Sequence, residues 1–268
     1  MASEKISKTI GVVVGICFVA AIFVSSAAVG LKPIQDENKK LDLLKNILIA
    51  GKLYEDGKTN INETYNSKIS AEIINLGTGE IVPKSEYDNV LNVEGFDLKT
   101  VAASKDHGQE IPPNKDIAGI KRMPKEMAIY MVEENGSVKK YIFPIYGKGL
   151  WSTLYGFIAL DSDLKTIEGF TFYEHGETPG LGGEVDNPKW KQKWVGKQAY
   201  SEDWNVQIEV IKGEVDQSSP KSKYQVDGLS GSTLTTRGVS NLVQFWLGEN
   251  GYKPFITKLR EEGSNEKI

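Results

Sequence analysis

Residues 127–146 read MAIYMVEENGSVKKYIFPIY, two runs rich in Ile, Tyr, Val and Phe on either side of Asn135-Gly136. Asn-Gly accepts the positive φ angles that both central residues of a two-residue type I′ turn require, so the stretch predicts a β-hairpin. Working outward, LYGFIALD at 154–161 and TIEGFTFYE at 166–174 supply a second predicted strand pair, and NVQIEVI at 205–211 alternates as a further strand. Upstream, SAEIINL at 70–76 and GEIV at 79–82 are strand-like, and SKDHGQEIPPNKD at 104–116 predicts a loop. Helices are predicted where Asn187-Pro188 opens KWKQKWVGKQ, and over 233–247, where Val239, Leu242, Val243 and Trp246 fall at i, i+3, i+4 and i+7 before Gly248. Strands in meander order with helices between them imply an α+β fold, a mainly antiparallel sheet with flanking helices rather than a doubly wound parallel one.

The 268 residues carry 32 basic and 36 acidic side chains, and the net charge of −4 offers nucleic acid no electrostatic footprint. One cysteine, Cys17, and two histidines, His107 and His175, are too few for zinc, iron–sulfur or disulfide frameworks. No metal site is expected, and redox chemistry would have to come from a bound organic cofactor. Residues 10–31, IGVVVGICFVAAIFVSSAAVGL, are 22 residues without a charge, as a helix about 33 Å long and enough to cross a bilayer core once. Lys5 and Lys8 before the run and Ser26-Ala27-Ala28 within it also suit a cleaved signal peptide, but the run exceeds an ordinary signal core and favours a retained anchor. Lys5 and Lys8 argue for a cytoplasmic N-terminus, whereas Lys32, Lys39, Lys40 and Lys45 beyond the other end argue the opposite, so charge leaves the orientation open. After Pro33, Leu41, Leu44, Ile47 and Leu48 form the stripe of an amphipathic helix, with Gly51 near its end.

Three glycine-punctuated windows are candidates for chemistry. DGLSGSTLTT at 227–236 runs into the helix predicted from Thr233. There Gly228 and Gly231 permit close backbone approach, and the unpaired N–H groups and dipole of a helix start favour an anion such as phosphate. The plainer alternative is an N-capped helix after a turn. HGETPGLGGE at 175–184 predicts a tight loop able to present backbone N–H groups to a planar ligand. Its alternative is a plain turn with solvated His175, Glu177 and Glu184, although His175 and Glu177 could form an acid-base pair. YGKGLWS at 146–152 sets glycines beside an aromatic that could close over a flat ring, the alternative being a buried tryptophan at a strand turn. Walker, Rossmann and nucleophile-elbow spacings are all missing, which disfavours triphosphate, dinucleotide and acyl-transfer enzymes.

The apolar N-terminal run, LKPIQDENKKLDLLKNIL directly after it, GKGLW, HGETPGLGGEV and DGLSGSTLTTRGV together resemble the C-subunit family of sodium-translocating NADH:quinone oxidoreductases, over nearly the whole chain. The resemblance implies a single-pass protein of the bacterial inner membrane, with residues 1–9 cytoplasmic and 10–31 transmembrane. It further implies a juxtamembrane helix and α+β region at 32–120, a periplasmic FMN-binding domain at 121–258 and a C-terminal tail at 259–268. One covalent FMN is implied. Matching Ser230-Gly231-Ser232-Thr233 to the family's Ser/Thr-Gly-Ala-Thr pattern makes Thr233 the phosphoester acceptor, with Ser232 where the family usually has alanine. A separate flavin transferase, using FAD as donor, is implied to recognise Asp227 and the hydroxyl-rich stretch that follows, and Asp227, Ser230, Gly231, Ser232, Leu234 and Thr235 are implied to belong with Thr233 to the FMN-binding site. Leu150 and Trp151, with Glu177, Thr178, Gly180, Leu181 and Gly182, are implied to border the isoalloxazine, and no residue is implied to be catalytic in this protein alone. The implied role is electron relay among the subunits of a membrane respiratory complex that reduces quinone and pumps sodium. The G-subunit family of Rnf-type ferredoxin:NAD oxidoreductases shares the TPGLG and flavinylation windows and is one alternative, although the juxtamembrane segment favours the quinone reductase. A non-redox, membrane-tethered binding domain, with all three windows as turns and caps, is the other.

Overall fold

The structure is a computed structural model; it describes residues 2–265 and separates into two compact units, one up to residue 43 and one from residue 44 onward. The first unit is the greater part of helix α1 (Ala2–Ala50), which runs unbroken through Pro33. The amphipathic helix expected after Pro33 is therefore not a separate element. A proline already holds a helical φ, and what it removes is one N–H bond and some room beside the preceding turn. The apolar stretch of this helix has no buried share, with Phe18, Phe23 and Val29 exposed by 67%, 72% and 74%. Such a surface is favourable in hydrocarbon and unfavourable in water.

The second unit opens with the last turn of α1, where Ile47, Leu48 and Ala50 are buried, and continues into α2 (Ile61–Lys68). Its centre is an antiparallel sheet of five strands in the order β1-β4-β5-β6-β7: β1 (Ile69–Asn75), β4 (Glu126–Glu134), β5 (Ser137–Lys148), β6 (Thr153–Asp161) and β7 (Ile167–Glu174). Between β1 and β4 lie α3 (Leu98–Ala103) and a ribbon of β2 (Gly108–Glu110) with β3 (Arg122–Pro124). After β7 come α4 (Pro188–Gln192), the short parallel pair β8 (Glu209–Val210) and β9 (Gln225–Val226), and then α5 (Thr233–Leu247) and α6 (Lys253–Asn265). The Asn135-Gly136 turn has φ of 52° and 73°, the conformation its sequence demands.

Helices cover both faces of the sheet at distances that glycines permit. On one face, a Cβ on Gly51 would lie 3.1 Å from Ile142 Cδ1, and one on Gly169 would lie 1.9 Å from the Ala50 carbonyl oxygen. On the other, a Cβ on Gly147 would lie 2.4 Å from Leu242 Cβ of α5, and Phe143 packs 4.6 Å from the ring of Tyr252. Trp246 Nε1 donates to the Tyr146 carbonyl at 2.7 Å, which locks α5 along β5 and fixes where its first turn falls.

Several boundaries differ from the sequence expectation. Residues 205–211 form only the two-residue strand β8, because α5 supplies the partners a sheet would have supplied: Val210 N–H donates to Ser240 Oγ at 3.1 Å, and Gln244 Nε2 donates to the Ile208 carbonyl at 3.0 Å. The helix after Asn187 stops at Gln192, and the expected loop at 104–116 contains β2. Gly248 ends α5 at a φ of −88° rather than in the left-handed region. The expected tail from 259 is helical to Asn265, and Leu259 packs on the core. No compact-unit boundary falls at residue 120, since β1 pairs with β4 along its whole length and β2 with β3 across that point.

Candidate functional site

Helix α5 begins at Thr233, and residues 229–232 fold back over its first turn. Gly231 holds a φ of +71°, Ser232 N–H donates to the Leu229 carbonyl at 3.2 Å, and Leu229 N–H donates to Thr236 Oγ1 at 3.1 Å. Ser232 occupies the cap position and is buried, yet its side chain makes no capping hydrogen bond. The plain capped-helix alternative therefore does not hold at this residue. Ser230, Gly231, Thr233 and Leu234 are exposed, so the Thr233 hydroxyl sits in the open at the electropositive end of a fifteen-residue helix.

Glu177 ties the three windows together. Its Oε1 accepts from the Trp151 amide (2.9 Å), the Ser152 amide (3.1 Å) and Ser152 Oγ (3.4 Å), and its Oε2 accepts from the Leu150 amide (3.3 Å) and Thr235 Oγ1 (2.7 Å). The residue is 5% exposed. Burial pushes its pKa up, but the hydroxyl of Thr235 and the amides of Trp151, Ser152 and Leu150 together outweigh burial and hold the carboxyl below its ordinary range. Around it the loop is tight: the Thr178 carbonyl accepts from Leu181 N–H (3.1 Å) and Gly183 N–H (2.9 Å), and Gly180 has a φ of +76°. A Cβ on Gly149 would come 2.6 Å from Glu177 Oε1, and one on Gly182 would come 2.6 Å from Thr235 Oγ1 and 2.7 Å from Glu177 Oε2. Neither position has room for a side chain.

Apolar side chains stand outside this tie. Leu150, Trp151, Leu181 and Leu234 are 40%, 69%, 46% and 54% exposed, and a Cβ on Gly231 would lie 3.2 Å from Leu181 Cδ2. Apart from them and the apolar part of α1, the exposed large hydrophobics among the described residues are Ile81 and Ile117. The windows that Glu177 joins are thus also where the second unit leaves most of its large apolar surface in the open, the mark of a site that takes a flat or apolar partner. The buried-tryptophan alternative for Trp151 fails on the same observation.

Asp227 and His175 have partners of their own. Asp227 makes an ion pair with Lys193, accepts from the Val215 amide at 2.8 Å, and offers its carbonyl to Trp190 Nε1 at 2.8 Å. Burial raises its pKa, but Lys193 and the Val215 amide pull it below the ordinary value. It therefore anchors the start of the loop to α4. His175 is no partner for the Glu177 carboxylate: its Nε2 meets Asp186 Oδ2 at 2.7 Å, and its Nδ1 accepts from the Glu177 amide at 3.2 Å. Ser152 and Lys193 were not singled out by sequence. Ser152 accepts from Gly176 N–H at 2.7 Å and so braces the loop, and its only sequence signal is a hydroxyl beside GKGLW.

Comparison with known proteins gives concordant results. The family model described as FMN-binding domain matches residues 149–248, which contain the windows at 175–184 and 227–236 and the end of the one at 146–152. The C subunit of the Na(+)-translocating NADH-quinone reductase of Pseudomonas aeruginosa is 44% identical over 260 residues, covering 96% of this chain and 97% of that protein. That of Yersinia pestis is 40% identical over 262 residues, covering 97% and 95%. Among solved structures, the crystal structure of Shewanella oneidensis NqrC superposes with a TM-score of 0.74 at 34% identity, covering 84% of this chain and 99% of that one.

Proposed function

Since the chain belongs to the family of C subunits of the Na(+)-translocating NADH-quinone reductase, we propose that it is a single-pass inner-membrane protein that carries electrons through one FMN bound at Thr233. The observation that carries this reading is the convergence of an exposed threonine hydroxyl, an uncapped helix start and four exposed apolar side chains from three separate windows. These residues fit FMN. Backbone N–H groups and the dipole of α5 suit a phosphate diester at the Thr233 oxygen, and the apolar side chains offer surface for a tricyclic ring. When bound, FMN supplies the redox chemistry; every other task falls to this chain.

Thr233 is the acceptor of the phosphoester, and its exposure lets a separate flavin transferase reach the hydroxyl. A covalent tether keeps the cofactor in place in both redox states, and the free energy of binding need not hold it. Leu150, Trp151, Leu181 and Leu234 would take the ring. Asp227 contributes through the loop it holds to α4, so its part in recognition by the transferase is conformational. The relatives named above are C subunits, which favours quinone-reductase partners over an Rnf-type assembly and over a non-redox tether. The proposed orientation has the N-terminus in the cytoplasm and the FMN unit in the periplasm.

The test is flavin fluorescence of the denatured chain after co-production with the transferase. The wild type should retain flavin, Thr233→Ser should retain it at least in part, and Thr233→Ala should lose all of it. Because Ser232 rather than Thr233 holds the cap position and Thr233 is exposed, Thr233→Ala should cost no more than about 0.5 kcal/mol of stability. A folded Thr233→Ala that still carries denaturation-resistant flavin would contradict the assignment. For orientation, a cysteine placed at exposed Glu202 in a Cys17→Ser background should react with an impermeant maleimide on intact spheroplasts; labelling only after lysis would place the unit inside.

A further inference from the structure

Glu177 lies among the residues a flavin would touch, yet its carboxylate has nothing left to offer one. An ionised carboxylate has about four lone-pair sites, and here five donors already point at it, three of them consecutive backbone amides. It is 5% exposed, and Gly149 and Gly182 wall it in so closely that a methyl group at either would collide with its oxygens. The partners come from two places separated widely in sequence: the turn at 150–152 that presents Leu150 and Trp151, and Thr235, two residues past Thr233 in the first turn of α5.

We infer that Glu177 is a positioning residue for the FMN ring: its buried carboxylate lashes the Leu150–Trp151 turn to the first turn of α5 and so sets the ring platform against the phosphate anchor. The inference rests on Thr233 being that anchor. One consequence is that the amides of 150–152 are spent on Glu177, so this turn meets the ring through the side chains of Leu150 and Trp151 and not through N–H groups. Another is that the turn cannot drift from the helix without exposing a carboxylate and three amides at once, which makes the tie rigid. The first-turn threonine is then a structural partner of the loop glutamate, and Thr233 alone among the hydroxyls of α5's first turn is left for covalent chemistry.

The experiment uses the full-length chain co-produced with a flavin transferase and compares the wild type with Glu177→Gln, Glu177→Ala, Thr235→Val and Thr235→Ser. Flavin content is read from fluorescence after denaturation, and ring placement from the ratio of folded to denatured fluorescence, since an aromatic held against the ring quenches it. Glu177→Gln, Glu177→Ala and Thr235→Val should keep flavin on Thr233 but raise the folded-state ratio, and Thr235→Ser, which restores the hydroxyl, should return it to the wild-type value. Glu177→Gln, which removes a fixed negative charge, should also raise the flavin midpoint potential. If Glu177→Ala fails to fold, the two Thr235 variants and Glu177→Gln still decide. Wild-type quenching in Glu177→Gln and Thr235→Val, with an unshifted potential in Glu177→Gln, at full flavin content, overturns the positioning role while leaving the anchor intact. Absence of flavin on Thr233 in the wild type overturns the anchor and this inference with it.

Discussion

His107 shows how one side chain can join two separate stretches of the chain. Both ring nitrogens face carboxylates, Nε2 at 3.0 Å from Asp88 and Nδ1 at 3.1 Å from Glu126, an arrangement that favours the protonated imidazole. Hydrogen bonding to Asp88 raises its pKa most; burial opposes this, and Glu126 adds to the rise. A raised folded-state pKa stabilises the native chain fully below the unfolded value of about 6.5, and that stability is lost as pH climbs through the folded value. The wild type should therefore lose stability above about pH 6.5 on a slope that His107→Ala lacks, and at pH 6 the variant should be weaker by about 1–3 kcal/mol, the worth of charged hydrogen bonds. Denaturant midpoints between pH 5 and 9 check this, and parallel curves for the two proteins would refute it. The sequence offered His107 only as one of two histidines in a predicted loop, since its partners lie 19 residues to either side. Glu177 was visible as part of a glycine-rich turn, but its bond to Thr235 spans 58 positions, and no local pattern reports such a pairing.

At the scale of elements, the hairpin of β4 and β5 was legible because one dipeptide, Asn135-Gly136, admits few other conformations. Helix α5 was legible to the residue at both ends, from its apolar spacing and the hydroxyl-rich approach. Residues 205–211 were not, because what ends β8 is the side chains of Ser240 and Gln244 on another element. The closeness of α5 to β5 also had no sequence signature beyond glycine at 147. Gly147→Ala would drive a methyl group into Leu242, 2.4 Å away at the Cβ position, and should cost about 1–3 kcal/mol as overpacking. It should also tilt the first turn of α5, so folded-state flavin fluorescence should change together with the urea midpoint. An unchanged midpoint would mean that the helix shifts without loss, and the close packing would not be what fixes the site.

For the whole molecule, the long uncharged run was the plainest feature of the sequence, and it forms part of a single helix whose apolar stretch is exposed. A partition at residue 120 is not what the strand pairing draws, because β1 joins the sheet beside β4, a strand that lies beyond α3, β2 and β3 in the chain. If the second unit folds by itself, a chain lacking residues 1–31 should be soluble without detergent and melt within about 2 °C of the full-length protein, a shift that corresponds to no more than about 1 kcal/mol for a unit of this size. A collapsed melting temperature would assign the first 31 residues a structural part. Cys17 lies in the removed segment, so the truncated protein should melt identically with and without reductant. The central claim is a single covalent bond on Thr233, and the most direct measurement is the intact mass of the denatured, transferase-treated chain with peptide mapping of residues 227–237. The account predicts the added mass of one FMN less one water, localised to Thr233. An unmodified chain, with the transferase shown active on a control substrate, or a flavin mapped to another residue, would contradict it.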